Sequence, residues 1–144
     1  MKWAGSFLIV LILLFSSCNR KIVLPNAYVK PMISFGQGGG FTGIEKKYIL
    51  QTDGNLFEKT YNKEEYTHLS RIKAQECDQL FDNYKNLGLG ELQVNQPENM
   101  YYFIEFSSGE NQKNLTWGDS FKSNQNLSIF FRTLMHLIRT ENSK

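Results

Sequence analysis

Two stretches of this chain carry apolar side chains at spacings of three and four. In 73–87, Ala74, Cys77, Leu80, Phe81, Tyr84 and Leu87 form one helical stripe, which Gly88 and Gly90 stop. In 127–139, Leu127, Phe130, Phe131, Leu134, Met135 and Ile138 form a second. A one-sided helix must bury its stripe against another apolar layer, and the rest of the chain supplies strands to do so. Strand patterns cover 32–35, 44–51, 55–60, 101–106 and 113–117, with 67–72 as a further short candidate. Asp53-Gly54 predicts a type I′ hairpin turn, since both central positions of that turn take positive φ. The expected architecture is α+β, an antiparallel sheet of about four to five strands with two helices packed on one face.

The N-terminal residues do not belong to that pattern. Lys2 is followed by the apolar run Phe7 to Phe15 and then by Ser16, Ser17 and Cys18. The run is far short of the ~20 helical residues that cross a hydrocarbon core, but it fits the apolar part of an export signal. Small residues followed directly by Cys resemble the lipobox of bacterial lipoproteins, with Phe15 where Leu is commonest in that family. The resemblance implies cleavage between Ser17 and Cys18 and a diacylglyceryl group on the Cys18 sulfur, with the new amine acylated as well. Two or three acyl chains hold a protein on a bilayer where one does not. Asn19 is not the Asp that signals inner-membrane retention in some bacteria, which turns the expectation toward the outer membrane.

Without residues 1–17 the mature chain has 127 residues, 15 basic and 14 acidic. That is one domain with a charge near zero, which gives no concentrated basic face for nucleic acid. One thiol remains besides Cys18: Cys77, which lies on a helical stripe and reads as a small core residue. Residues 18–31, with Pro25 and Pro31 and no period, read as a lipidated tether leading to a single domain over 32–140 and a frayed tail over 141–144. Fully extended, the thirteen residues 19–31 would reach ~40–45 Å.

The glycine-rich segment ending in Gly39, Gly40, Phe41, Thr42 and Gly43 contains a GxGxxG match. A strand pattern follows it, where dinucleotide binding needs a helix N-terminus. No Gly-Lys-Ser/Thr closes a P-loop, and the catalytic motifs of a kinase are missing from the sequence. Two readings stay open. The glycines shape a wide turn or bulge, or they form a recognition loop presenting Phe41 as an aromatic anchor. The exposure of Phe41 separates them. Trp117 reads either as packing or as a second contact. His68 and His136 have no partners at metal-site spacing, and no Ser sits in a nucleophile elbow. No metal or cofactor is expected.

The order of features from Gly39 onward resembles the emfourin-like family, small domains associated with inhibition of thermolysin-type metalloproteases. The matching parts are Gly39-Gly40-Phe41-Thr42-Gly43, the following strand, the helix around Leu80-Phe81 ending in Leu87-Gly88-Leu89, and the strand Tyr102 to Phe106 with Gly109. The last helix with Leu127, Phe131 and Leu134 completes the match. The resemblance implies a protein-binding role. The expectation is therefore a membrane-tethered, non-enzymatic module with an unidentified protein partner. The competing expectation is a small envelope enzyme or ligand carrier built from scattered polar residues such as His68, Tyr101 and Asp119.

Overall fold

A computed structural model describes residues 21–121 and 124–141; the leader, Ser17, Cys18 and residues 142–144 lie outside the described residues. Hydrogen bonding joins seven strands into one sheet: β1 (Met32–Gly39), β2 (Lys46–Gln51), β3 (Asn55–Lys59), β4 (Tyr66–Arg71), β5 (Asn95–Gln96), β6 (Met100–Ser108) and β7 (Asn111–Gly118). Helix α1 (Ala74–Asn86) follows β4, and α2 (Gln125–Glu141) ends the described chain. The strand order is β4-β3-β2-β1-β6-β7-β5.

The fold is α+β with two helices, as expected, but the sheet is larger than four to five strands and is mixed. Its extra strand comes from the polar stretch 91–99, where Asn95 and Gln96 pair in parallel with Thr116 and Trp117. Two residues of backbone pairing leave no side-chain period to read in a sequence. The central strand is also longer than its apolar pattern. β1 continues past Phe35 through four residues of the glycine-rich segment, paired on one side with β2 and on the other with β6. At Gly36 a side chain is impossible: a Cβ there would overlap the carbonyl of Lys46. Glycine in this strand marks close approach of a neighbouring backbone.

The Asp53-Gly54 connection also differs from the expected turn. Asn62 is the only described non-glycine residue with positive φ, so Asp53 does not take the conformation a type I′ turn demands. Three residues join β2 to β3 instead. The Gly54 amide donates to the Gln51 carbonyl at 2.9 Å, and Gly54 takes φ 89°. The Asp53 carboxylate accepts from the Asn55 amide at 3.1 Å, which fixes its side chain over the turn.

Alternation sorts the strand side chains onto two faces. Ile33, Phe35, Leu50, Leu56, Ile104 and Leu115 meet Cys77, Leu80, Phe81 and Tyr84 of α1 and Leu127, Phe130, Leu134, Leu137 and Ile138 of α2 in one core. Both helices therefore lie on one face. Each of the fully buried strand side chains contributes ~1.5–3 kcal/mol by leaving water. Tyr84 stacks on Phe106 with ring centroids 4.6 Å apart, which ties α1 to β6. The Asn124 side chain accepts from the Leu127 amide at 2.9 Å and caps α2.

Among the described residues no α-helix packs on the opposite face, yet Ile49, Phe57 and Phe103 on it are buried. His68 meets the Phe57 ring edge-on at 5.2 Å, and Lys47, ion-paired with Glu105, lies over the Phe103 ring. Long charged side chains thus cover apolar surface with their stems and keep their heads in water.

The stretch expected to be a free tether is pinned to this face from Val23 on. Gln51 Nε2 donates to the Val23 carbonyl at 3.0 Å, Pro25 is buried, and the Tyr28 hydroxyl shares a hydrogen bond with Thr52 Oγ1 at 2.8 Å. The same hydroxyl accepts from the Asp53 amide at 3.1 Å. Pro25, whose fixed φ suits a first helical turn, opens a short 3-10 turn over Pro25–Ala27 within this strap. No described helix is long and apolar enough to cross a membrane.

Candidate protein-binding site

The two ends of the sheet differ in character. At one end lie the start of β1, the β2–β3 turn and the strap; at the other lie the glycine loop after β1 and the β3–β4 turn. The positions singled out between Gly39 and Gly43 are all at the second end.

Gly39 ends β1, so the loop proper is shorter than the glycine-rich stretch suggests. Gly39 and Gly40 take φ of 91° and 72°, a pair that turns the chain out of the sheet and that other residues adopt only with strain. Their backbone lies close to the β5–β6 connection, with the Gly40 amide donating to the Asn99 carbonyl at 2.7 Å. Phe41 stands at the tip with its side chain wholly in water, at 107% relative exposure. Ile44, two residues beyond Thr42, is also exposed. The glycines make the turn, and Phe41 does not fold back onto the core.

The loop is braced. The Tyr61 hydroxyl of the β3–β4 turn donates to the Gly43 carbonyl at 3.0 Å, and the Tyr101 hydroxyl of β6 donates to Glu45 at 2.8 Å. The hydrogen bond to Glu45 raises the Tyr101 phenol above its ordinary value. Beside these braces runs an open polar cleft of about 490 Å³, lined among others by Lys47, Lys59, Tyr61, Lys63 and Tyr101. Its charges are mostly paired. Glu64 accepts from Lys59 at 2.5 Å and from the Tyr66 hydroxyl at 2.8 Å. The hydrogen bond from Lys59 pulls the Glu64 carboxyl down, and the same bond raises the Lys59 ammonium. Glu65 also faces a lysine, Lys63, at 3.7 Å. Nothing in the local sequence signals the cleft except a turn rich in Tyr, Lys and Glu between two strands.

Trp117 is not brought to Phe41. It lies on the helix-covered face at the end of β7, 5% exposed, with its ring 5.3 Å from Phe131 and 6.2 Å from Tyr102. A shallow groove beside Tyr102, Phe131 and Arg132 reaches it from solvent. Packing accounts for its position.

The polar residues named for an assembled site point to different neighbours. His68 bonds Asn55 at 3.1 Å, Tyr101 bonds Glu45, and Asp119 accepts from the Tyr102 hydroxyl at 2.7 Å. Among the described residues, no three His, Cys, Asp or Glu side chains gather as a metal site would need. Cys77 is buried, its thiol donating to the Gln51 carbonyl at 3.3 Å; burial, with Asp78 nearby, pushes its pKa up to about 11. Such a thiol is protonated and inert at neutral pH.

No protein-family model matches the chain, and no curated protein matches it either.

Proposed function

We propose that this chain is a lipid-anchored, non-enzymatic binding module of a bacterial envelope. In this reading it is held through acyl chains on Cys18, in the outer membrane, and engages a protein partner with the glycine loop 40–45. The observation that carries the binding half is Phe41, fully exposed on a loop that Tyr61, Tyr101 and Asn99 hold in place. An isolated aromatic on a braced loop is the form of an interface anchor: it loses little freedom on binding, and its whole surface is available to a pocket. The polar cleft beside it supplies a hydrogen-bonding rim. The anchoring half rests on the Ser16-Ser17-Cys18 pattern behind an apolar run.

The resemblance to emfourin-like domains makes a thermolysin-type metalloprotease the first partner to try. The enzyme or carrier reading has weaker support, since His68, Tyr101 and Asp119 have separate partners.

The test has two arms. Labelling with a fatty acid should mark the wild-type chain and not Cys18→Ala, and envelope fractionation should place the labelled protein with the outer membrane. Crosslinking in intact envelopes should then recover a partner with the wild type and lose it with Phe41→Ala. Burying a Phe contributes ~1.5–3 kcal/mol, so affinity should fall about 10- to 100-fold. An unchanged set of crosslinked proteins with a folded Phe41→Ala variant sinks the binding half, and an unlabelled wild type sinks the anchor.

A further inference from the structure

We infer that the strap end of the sheet is a bilayer-apposed surface, and that the glycine loop is thereby held facing away from the membrane. The inference rests on the lipid-anchor reading and adds the orientation that reading leaves open.

The first observation is the docked strap. With Val23 held by Gln51 and Tyr28 held by Thr52 and Asp53, the leash between Cys18 and the first docked residue shortens from the whole of 19–31 to 19–22. From Cys18 to Val23 the chain takes five steps, so an acyl anchor would lie within ~17–18 Å of the docked point.

The second is where that point lies. Gln51 pairs with Met32 at the start of β1, and the glycine loop follows Gly39 at its other end. Seven steps of ~3.3 Å place those ends ~23 Å apart. A leash this short lets the bilayer meet the strap end, while the glycine loop lies a strand length beyond it.

The third is the strap's own chemistry. Val29 is 84% exposed and Ile22 51%, with Leu24 close behind, and Lys21 and Lys30 flank them in the sequence. Exposed aliphatic side chains beside lysines match the interfacial zone of an anionic bilayer, which takes apolar groups at the acyl boundary and ammonium groups at the headgroups. Val29, exposed between Tyr28 and Lys30, is open to a lipid surface. Phe41, at the far pole, is left for a partner in the aqueous space.

The experiment uses the full chain, matured in its bacterium and reconstituted in vesicles of phosphatidylethanolamine and phosphatidylglycerol with a share of spin-labelled lipid. Val29→Cys on the strap and Lys63→Cys on the β3–β4 turn each receive a thiol-reactive fluorophore. Cys77 is buried and protonated and will not compete. Quenching at position 29 should exceed that at position 63 at least threefold. Equal quenching, or stronger quenching at 63, in a preparation whose mass shows an acylated residue 18 overturns the orientation and leaves the anchor standing. A residue 18 that carries no acyl group overturns both.

Discussion

The Tyr61 hydroxyl donates to the Gly43 carbonyl at 3.0 Å, so the β3–β4 turn and the glycine loop form one unit although eighteen residues separate them. The bond lies at the surface and fastens a loop whose tip otherwise has no side-chain packing. Tyr61→Phe should leave the melting temperature within a few degrees, because a solvent-exposed hydrogen bond is worth ~0.5–1.5 kcal/mol at most. Amide exchange at Gly43 should quicken severalfold while exchange in β1 and β6 stays unchanged. Unchanged exchange at Gly43 would show that the brace does not hold the loop.

Gly36 and Gly43 should respond very differently to Ala. At Gly36 the new Cβ meets the Lys46 backbone, which cannot move without parting the central strand pair. Gly36→Ala should cost several kcal/mol or prevent folding, in line with the largest effects of single substitutions. At Gly43 nothing crowds the position, and the cost is that of a left-handed conformation, ~1–2 kcal/mol. Thermal unfolding of the two variants gives the comparison, and a Gly36→Ala protein as stable as Gly43→Ala contradicts the packing described.

The thiol of Cys77 makes stability depend on pH at the alkaline end. Its folded pKa of about 11 lies above the ordinary value of 9.0, so between those values the folded state holds a proton that the unfolded state has lost. Stability conferred by the buried thiol is complete below about pH 9 and declines as pH rises toward 11, by on the order of 2 kcal/mol. Burial also raises Tyr48 and Tyr84, which act in the same direction. Urea unfolding from pH 8 to 11 should therefore show a decline that Cys77→Ala makes shallower without abolishing. A decline of equal slope in the variant would remove Cys77 from the account.

Tyr84 presents a buried hydroxyl with no hydrogen-bond partner among the described residues, beside its stacking on Phe106. Removing an unsatisfied polar atom while keeping the ring relieves a desolvation penalty of ~1–3 kcal/mol. Tyr84→Phe should equal or exceed the wild type in thermal stability. A marked loss would mean that the hydroxyl has a partner, such as a buried water.

Both helices were legible in the sequence because a stripe at spacings of three and four has few other solutions. The core takes Cys77, Leu80, Phe81 and Tyr84 from the first stripe and Leu127, Phe130, Leu134 and Ile138 from the second, while Ala74 stays exposed and Leu87, Phe131 and Met135 are half-buried. β2, β3, β6 and β7 were legible for the same kind of reason, within a residue or two at each end. β1 was only half legible, since glycines carry no period and their place in a central strand depends on the neighbours pressed against them. The distinctive Phe41 was visible as a candidate, and its exposure was not.

What the sequence determined by itself is the set of local choices: two one-sided helices, the strands with alternating apolar faces, and the glycines that permit a sharp exit from β1. Tertiary structure alone decided that Trp117 turns inward to Phe131 while Phe41 stays in water, that Tyr61 reaches Gly43, and that the strap docks on Gln51. Periodicity is written into neighbours three or four positions apart. These contacts join groups twelve or more residues apart, two of them a side chain to a backbone carbonyl, and only the closed tertiary fold brings them within hydrogen-bonding or van der Waals range.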